Sequence, residues 1–341
     1  WSSDVCSSDL VYRPATGTWG KPGGAAPSGS NPMYAAAATT LDATWTASIP
    51  EKRIFYSYKS GSWDDAGTWT LDPSGMQWLN PDTYSPSTSP TSANDEVVVL
   101  SGKTVSVTSN NKVNRSLTVT GTLDLGTTTG HSFSTISGSG LIRLAGDNFP
   151  ASVATGFTSP GQGEGTVEFY GNSRNLSNSR TFYNVNVNMT AGNTLTLLTD
   201  YVINGNLTLA SGILSINNTT AAARNITVYG NITVESPGRI ITGTGNARHQ
   251  LNLYGDFTNN GEASFTNRTS AVYGSEAANG IVDVNFLSPD RNQSILCRGI
   301  TSFYRIEIDK GTDFTYILNI DATDTDYFRL YGFANEGHGA D

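Results

Sequence analysis

Tyr201-Val-Ile-Asn-Gly-Asn-Leu207 is a phrase that the chain repeats twice more, as Ile226-Thr-Val-Tyr-Gly-Asn-Ile232 and Leu251-Asn-Leu-Tyr-Gly-Asp-Phe257. Each copy reads apolar, any, apolar, any, Gly, polar, apolar, and the glycines of the three copies are evenly spaced. A fixed period of about 25 residues is typical of a solenoid, in which each repeat forms one coil that stacks on the next. Because the apolar residues alternate with a period of two, we expect every coil to consist of β-strands.

The same period extends upstream of these three copies. The phrase occurs at Leu117–Leu123 and, without its last apolar residue, at Ile142–Gly146 and Val167–Gly171. The glycines of these upstream copies have the same even spacing. We therefore predict an all-β fold, a right-handed parallel β-helix (β-solenoid) with coils of about 25 residues and an N-terminal cap.

Two places depart from the period. Between Gly171 and Gly205 the spacing is longer than one repeat, and we expect the extra length around Asn172–Arg180 to bulge from the coil. Beyond Gly261 the period weakens, although Phe328–Phe333 repeats the phrase once more. If the chain binds a specific ligand, we expect the site at one of these two places or at the Trp-rich segment upstream.

The sequence divides into five segments. Residues 1–10 look like the translation of a sequencing adapter, and residues 11–50, which are rich in Gly, Pro, Ala and Ser, are predicted to be a flexible linker. Residues 51–95 are the predicted cap, 96–265 the regular solenoid, and 266–341 an irregular, truncated continuation of it. We expect the chain to be a fragment of a longer gene product.

Composition limits the class of function. Only 14% of the residues are charged, the net charge is −9 and the pI is about 4.8, so the chain lacks the basic patch that would neutralise nucleic-acid phosphates. No run of about 18 apolar residues occurs, which argues against insertion into a membrane. Apart from Cys6 in the adapter-like segment, Cys297 is the only cysteine, and this excludes a disulfide framework.

Three tryptophans, Trp63, Trp69 and Trp78, lie close together in the predicted cap. Flat aromatic rings bind the faces of sugar rings, so these side chains are candidates for a glycan-binding platform. Alternatively they cover the first coil, because the end of a solenoid exposes apolar side chains and unpaired backbone groups. The sequence leaves both interpretations open and favours the second.

The predicted coils offer little catalytic chemistry. Hydrolysis of a glycosidic bond needs two carboxylates at a defined separation. The acidic residues of the coils stand alone in their strands or turns: Asp124, Asp147, Glu168, Asp200, Glu235 and Asp256. We therefore expect no catalytic residues and a protein that is not an enzyme.

One acidic cluster is a candidate metal site. Asp321, Asp324 and Asp326 place three carboxylates within a short segment, and Ca²⁺ prefers clustered oxygen ligands. The EF-hand pattern is absent, a solvated acidic turn is the simpler interpretation, and no other cofactor is expected. His131, His249 and His338 are far apart in the sequence and give no support to a metal site or a catalytic triad.

Several phrases resemble one group of proteins. They are Ser60-Gly-Ser-Trp63, Asn94-Asp95-Glu-Val-Val-Val, Leu117-Thr-Val-Thr-Gly-Thr-Leu-Asp-Leu125, Val167-Glu-Phe-Tyr-Gly171 and Leu207-Thr-Leu-Ala-Ser-Gly212. Over residues 54–332 the sequence resembles the secreted surface adhesins and gliding-associated β-solenoid proteins of Bacteroidetes-type bacteria. The resemblance implies a β-solenoid fold, export from the cell and a location at the cell surface.

These observations predict a non-enzymatic, extracellular segment of a larger cell-surface protein. We expect a structural or adhesive rod that presents an uncharged face of Thr and Asn to surface glycans, to surfaces or to other cell-surface proteins. The alternative is a carbohydrate-active β-helix enzyme, either a polysaccharide lyase or a hydrolase, or a carbohydrate-binding module. Stacked carboxylates in one groove would favour the enzyme, and a smooth Thr/Asn face would favour the rod.

Overall fold

A computed structural model describes the backbone and side chains of residues 53–78, 86, 88–216, 222–245, 247–270, 278–311 and 315–332. For four further strands, at 9–14, 43–48, 272–273 and 333–334, it describes the backbone. The fold is nearly all β and is dominated by long parallel sheets, as the alternating apolar pattern predicts. Helical structure in the described residues is limited to the 3₁₀ turn Ala66–Thr68 and the single turn α1, Thr155–Thr158.

The strands are numbered in chain order. The first group is β1 Asp9–Pro14, β2 Ala43–Ser48, β3 Ile54–Ser57, β4 Gly61–Ser62, β5 Trp69–Thr70, β6 Glu96–Val99, β7 Thr104–Ser106, β8 Val113–Val119, β9 Thr122–Asp124, β10 Ser132–Ser137, β11 Leu141–Leu144 and β12 Ala151–Ala154. The second group is β13 Thr166–Gly171, β14 Arg174–Leu176, β15 Arg180–Phe182, β16 Asn184–Met189, β17 Thr194–Leu197, β18 Tyr201–Ile203, β19 Leu207–Ser211, β20 Ile213–Ile216, β21 Asn225–Val228, β22 Ile232–Val234 and β23 Arg239–Thr242. The third group is β24 Arg248–Leu253, β25 Phe257–Asn259, β26 Glu262–Ser264, β27 Val272–Tyr273, β28 Ile281–Phe286, β29 Gln293–Cys297, β30 Thr301–Phe303, β31 Ile306–Ile308, β32 Leu318–Ala322, β33 Phe328–Leu330 and β34 Phe333–Ala334.

Four sheets contain most of the strands after residue 53, and β27 and β34 form a separate parallel pair. Sheet I contains β3, β5, β6, β8, β10 and β12, and sheet II contains β4, β7, β9, β11, β13, β16, β19, β22, β25, β29 and β32. Sheet III contains β14, β17, β20, β23, β26, β30 and β33, and sheet IV contains β15, β18, β21, β24, β28 and β31. The chain visits the sheets in a repeating order, so that each circuit adds one strand to each sheet through which that coil passes. This arrangement is solenoid-like.

The inward side chains of sheet II stack in register from coil to coil. Leu123 pairs with Ile142, Ile142 with Val167, Val167 with Val185, and Val185 with Leu207. All five side chains are buried and belong to one continuous apolar core. Since full burial of such a side chain stabilises a fold by roughly 1.5–3 kcal/mol, this apolar column is the main attraction between neighbouring coils.

The length of a coil changes along the chain. In sheet II, Leu207 pairs in register with Ile232 and Ile232 with Phe257, and both steps equal the predicted period. Upstream, Leu123 pairs with Ile142, which is a shorter step along the sequence. The prediction of a uniform coil length is therefore wrong for the first part of the solenoid. The coils there pass through two sheets, I and II, whereas the later coils pass through sheets II, III and IV.

The upstream glycines occupy different points of the coil. Gly121 lies at the corner before the sheet II strand β9, as Gly205 does before β19. Gly146 follows the sheet II strand β11, and Gly171 ends the sheet II strand β13. The regular spacing of these upstream glycines therefore does not mark one repeated position.

Residues Asn172–Arg180 do not bulge from the coil, contrary to the sequence prediction. They contain β14, which begins sheet III and pairs with β17. β15, which starts at Arg180, begins sheet IV and pairs with β18. The extra length before Gly205 thus supplies two new strands and marks the change from a two-sheet coil to a three-sheet coil.

The corner glycines of the repeated phrase bring successive backbones into close contact. A Cβ atom on Gly230 would lie 2.5 Å from the carbonyl oxygen of Gly205, and one on Gly255 would lie 2.0 Å from that of Gly230. The N–H of Gly230 also donates a hydrogen bond of 2.9 Å to the carbonyl oxygen of Gly205. Because the nearest atoms belong to rigid backbone, only glycine fits at this corner.

The polar residue after each corner glycine caps the next coil. Oδ1 of Asn206 accepts a hydrogen bond of 2.8 Å from the backbone N–H of Asn231, whose own Oδ1 accepts one of 2.8 Å from the N–H of Asp256. The ladder extends at both ends, since Asn184 accepts from the N–H of Asn206 and Asp256 accepts from the N–H of Ser294. These bonds satisfy backbone N–H groups at the corner that have no hydrogen-bond partner in a neighbouring strand.

Both ends of the chain add detail to the predicted segments. β5 runs antiparallel to β3 at the edge of sheet I. β1 and β2 pair antiparallel with each other, so the prediction of a flexible linker over 11–50 needs correction where β-branched and aromatic residues favour strands. Residues 15–42 lie outside the described residues. Sheets II, III and IV continue past Gly261, as far as β32, β33 and β31 respectively. In the described part of the chain, no helix is long and apolar enough to cross a membrane.

The corner contact predicts a large loss of stability for Gly255→Ala. We expect the free energy of unfolding to fall by about 3 kcal/mol, the upper end for inserting a methyl group into a packed site. Gly192→Ala is the control, because a Cβ there meets nothing within 4 Å and adds only the strain of a positive φ, about 1 kcal/mol. Urea denaturation measures both, and equal losses would contradict the corner packing.

Candidate functional site

A polar cluster on the outer face of sheet II joins charged side chains from successive coils. It consists of Asp124, Arg143, Glu168, Tyr170 and Asn186, and it is called the Arg143 cluster below. These side chains come from β9, β11, β13 and β16, which are consecutive strands of sheet II. Arg143 pairs in register with Asp124 on one side and with Glu168 on the other.

Arg143 bridges the two carboxylates. Its Nη1 donates to Oδ2 of Asp124 at 3.1 Å, and its Nε donates to Oε1 of Glu168 at 2.8 Å. The Tyr170 hydroxyl donates to Oδ1 of Asp124 at 2.7 Å, and Nδ2 of Asn186 donates to Oε2 of Glu168 at 2.7 Å. All four carboxylate oxygens therefore have a partner within the cluster.

Burial and neighbouring charges shift the pKa values of Tyr170 and Arg143 in the cluster. Burial raises the pKa of Tyr170 to about 12, and the hydrogen bond to Asp124 acts in the same direction. Burial alone would lower the pKa of Arg143, but the hydrogen bond and the charge of Glu168, together with Asp124, raise it. The guanidinium of Arg143 also lies 4.2 Å from the centre of the Tyr170 ring, a cation–π contact.

This arrangement is closed to acid–base chemistry. An inverting glycosidase keeps space for a water molecule between its two carboxylates, and a retaining one leaves its nucleophile free to attack. In the Arg143 cluster the guanidinium occupies the space between Asp124 and Glu168 and forms an ion pair with each. A Tyr170 hydroxyl with a pKa of about 12 is also ill-suited to acid–base exchange at neutral pH. The geometry therefore fits a cross-coil ion network that stabilises the outer face of sheet II.

The statement that Asp124 and Glu168 stand alone is wrong, because both lie in one column of sheet II with Arg143 between them. Arg143 and Glu168 are separated by one repeat period, so the sequence pattern alone could have predicted that these two residues lie side by side. Asp124 is closer to Arg143 along the sequence than one period, and a uniform period hides that pairing. Outside this cluster, Asp147 and Asp200 accept backbone N–H groups of Ser177 and Asn225 from another coil.

The tryptophans of the predicted platform lie inside the fold. Trp63 and Trp69 have no exposed surface, and their rings contact each other edge to face at a centroid distance of 5.2 Å. Nε1 of Trp63 donates to the carbonyl oxygen of Pro90, and Nε1 of Trp69 donates to that of Trp63. Neither ring offers a face to a sugar in this structure. Trp78 is half-buried and stacks on Tyr58 at 6.4 Å, so the three rings do not form one platform.

The three aspartates of the candidate calcium site do not converge. Asp321 lies in β32 and forms an ion pair of 2.6 Å with Arg298. Oδ1 of Asp324 accepts a hydrogen bond from the backbone N–H of Asp326, as in a tight turn. Within the described ranges, no three His, Cys, Asp or Glu side chains are grouped so as to hold a metal ion. Calcium binding at these residues remains a prediction.

His131 and His249 have the same structural role in different coils. Nδ1 of His131 accepts a hydrogen bond of 3.1 Å from the backbone N–H of Lys112, and Nδ1 of His249 accepts one of 3.0 Å from that of Arg224. Both rings are almost fully buried. Burial lowers the pKa of each imidazole, and the neighbouring charges of Lys112 and Arg224 lower it further. Each neutral ring thus satisfies a backbone donor of the preceding coil. His338 lies outside the described residues.

A concave region lies over sheet III and is called the trough below. It has a volume of about 460 Å³. Its lining is Ser173, Arg174, Asn175, Thr194, Thr196, Ser215, Ile241, Thr242, Gly243 and Thr244. The trough includes residues of Asn172–Arg180, one of the three places where the sequence predicts specific binding. No carboxylate is among these lining residues.

Comparisons of the chain with models of protein families, with curated proteins and with solved structures return no match. The function is therefore inferred from the geometry of the chain itself. Two features of this geometry bear on function: the closed Arg143 cluster and the trough, whose floor residues are uncharged.

The Arg143 cluster predicts an asymmetric response to mutation. Arg143→Met leaves Glu168, which is 7% exposed, without its cation, and we expect the free energy of unfolding to fall by about 3 kcal/mol. The triple variant Asp124→Asn/Arg143→Met/Glu168→Gln removes all three charges together and should recover at least half of that loss. Both values come from urea denaturation.

The control for this prediction is Arg298→Met. It breaks the ion pair with Asp321, whose two side chains are 34% and 50% exposed, and should cost less than about 1 kcal/mol. An Arg143→Met variant that loses no more stability than Arg298→Met would show that the Arg143 cluster does not stabilise the fold.

The two histidines predict a loss of stability in mild acid. A pKa that is lower in the folded state means that the neutral imidazole contributes stability above the ordinary pKa near 6.5, and that this contribution is lost as the pH falls through the folded-state pKa. Each group adds a slope of at most about 1.4 kcal/mol per pH unit. We expect the variant His131→Gln/His249→Gln to lose less stability than the natural chain between pH 7 and pH 5 in urea denaturation, and parallel curves would refute the assignment.

Proposed function

We propose that the protein is a non-enzymatic, extracellular segment of a larger cell-surface protein, in which a stiff β-solenoid acts as an adhesive rod. The observation that supports this proposal most is the continuity of sheet II, whose eleven strands stack without a break. At a strand spacing of about 4.8 Å, ten steps make a column about 48 Å long. A column in which every coil packs on the next resists bending and holds other modules at a distance from the cell.

The winding and the cap belong to the same proposal. The coils wind right-handed, because a crossover between parallel strands of one sheet is right-handed in nearly all proteins. Residues 51–95 cap the first coil, and the burial of Trp63 and Trp69 together with the antiparallel strand β5 supports this role. A cap of this kind protects the apolar interior and prevents edge-to-edge aggregation.

The outer surface favours adhesion by uncharged groups. Thr208, Thr233 and Thr258 lie in register on the outer face of sheet II, where side chains alternate with buried ones. The nearby carboxylates of Asp124 and Glu168 are both paired with Arg143 within their cluster. A face of hydroxyl and amide groups matches the hydroxyl groups of glycans, and the net charge of −9 disfavours nucleic acid.

The enzymatic alternative has weaker support. It needs a carboxylate, tyrosine or basic group that is free to exchange a proton with a substrate. In the Arg143 cluster each such group is engaged with another member. A carbohydrate-binding role without catalysis is compatible with the rod, because a solenoid can bind glycans along its length.

Two measurements on the full chain test the proposal. Small-angle X-ray scattering should give the profile of an elongated particle with a constant cross-section, and a globular profile would contradict the rod. A glycan array probed with the labelled chain should give binding that persists at high salt, about 0.5 M NaCl, since the proposed contacts are uncharged. Absence of binding to any glycan on the array would overturn the adhesive role, and release of shortened sugar products from a bound polysaccharide would favour the enzyme.

A further inference from the structure

The floor of the trough is a row of three polar side chains and one isoleucine on the outer face of sheet III. Asn175 pairs in register with Thr196, Thr196 with Ser215, and Ser215 with Ile241. Each of these residues comes from a different coil, so equivalent groups recur about every 4.8 Å along the solenoid. Such a row can contact successive units of an extended ligand that runs parallel to the solenoid axis.

Two hydroxyl groups of the trough lack a hydrogen-bond partner in the described structure. They are Oγ of Ser215, which is 2% exposed, and Oγ1 of Thr242, which is 9% exposed. Buried polar groups in folded proteins almost always have a partner, because an unpaired one costs folding free energy. An unpaired buried hydroxyl in the lining of a cavity is therefore a group that a bound ligand can satisfy.

The lining of the trough offers little charge to a strongly ionic ligand. Arg174 is the only charged lining residue, and its guanidinium donates to backbone carbonyl oxygens of Tyr170, Asn172 and Leu144. Its hydrogen-bonding capacity is thus largely used within the protein. The net charge of −9 on the whole chain also repels polyanions. Ile241 adds an apolar surface on the floor, against which the C–H face of a sugar ring can pack.

From these observations we infer that the trough is a binding site for a neutral oligosaccharide chain. The inference rests on the proposed adhesive function and assigns it to one face of the solenoid. Hydroxyl groups of Thr196 and Ser215 and the amide of Asn175 hydrogen-bond to sugar hydroxyls, while Ile241 contacts the ring. A volume of about 460 Å³ lies within the usual range for small-ligand sites and holds a few sugar units.

The test compares two triple variants of the full chain. Asn175→Ala/Thr196→Val/Ser215→Ala removes the polar groups of the trough floor, and Ser116→Ala/Thr118→Val/Thr135→Val removes three hydroxyls from the outer face of sheet I, away from the trough. Isothermal titration calorimetry measures binding to neutral hexasaccharides of β-linked glucose, mannose and xylose and to an acidic uronic-acid hexasaccharide. Thermal unfolding followed by circular dichroism confirms that both variants fold.

We expect the natural chain to bind at least one neutral hexasaccharide, with a dissociation constant that rises at least tenfold in the trough variant and changes less than twofold in the sheet I variant. If glycans bind the natural chain and both variants equally, the trough is not the site and the adhesive function stands. If only the acidic hexasaccharide binds, and salt abolishes its binding, the neutral specificity is refuted. If no glycan binds the natural chain here or on the array, the adhesive function fails as well.

Discussion

At the corner before sheet II, the backbone of one coil lies directly against that of the next, with Gly205, Gly230 and Gly255 in line. A Cβ atom at this position would enter the carbonyl group of the preceding coil. This contact fixes the spacing of the coils, because any larger residue would force them apart. The in-register columns of apolar side chains and the ladder from Asn206 to Asp256 depend on that spacing. The glycine and the polar residue after it therefore act as one unit in the repeated phrase.

The same geometry decides how polar groups are used. Buried histidines inside the fold and exposed asparagines at the corners satisfy backbone donors of neighbouring coils. On the outer face of sheet II, Arg143 closes a network with two carboxylates, which leaves no group of that cluster free for catalysis. On the outer face of sheet III, the Ser215 hydroxyl is left without a partner in the lining of the trough. Structure is thus maintained by the charged and amide groups, while binding is assigned to the trough.

The sequence predicts the β architecture because a period of two within a longer fixed period has few other physical explanations. It misassigns the upstream coils, because a coil of two strands and a coil of three strands can repeat the same apolar-glycine phrase. Gly121 and Gly146 look equivalent in the sequence, yet one precedes and the other follows a strand of sheet II. A single period cannot reveal this change, since the number of strands in a coil depends on where the chain turns.

Side-chain function was harder to predict than fold. Trp63 and Trp69 would suit a sugar platform as well as a cap, and only their burial separates the two roles. The partnership of Asp124 with Arg143 needs the correct coil length, which the sequence does not provide. To predict the trough, one would also have to know which hydroxyl groups lack a hydrogen-bond partner in the folded chain. Ser215 is indistinguishable from other serines in the sequence, and only the three-dimensional packing shows that its hydroxyl has no hydrogen-bond partner.

The most direct test of the account is the register of the first coils. Thr104 pairs with Thr122, whereas Thr129 lies one full predicted period after Thr104 and its N–H donates to Asn110. Neighbouring strands are about 4.8 Å apart, within the roughly 4.4–6.8 Å that a disulfide spans. In a chain with Cys6→Ser and Cys297→Ala, we predict that mild oxidation cross-links Thr104→Cys/Thr122→Cys and leaves Thr104→Cys/Thr129→Cys reduced. Cross-linking of the second pair in place of the first would contradict the stacked coils described above.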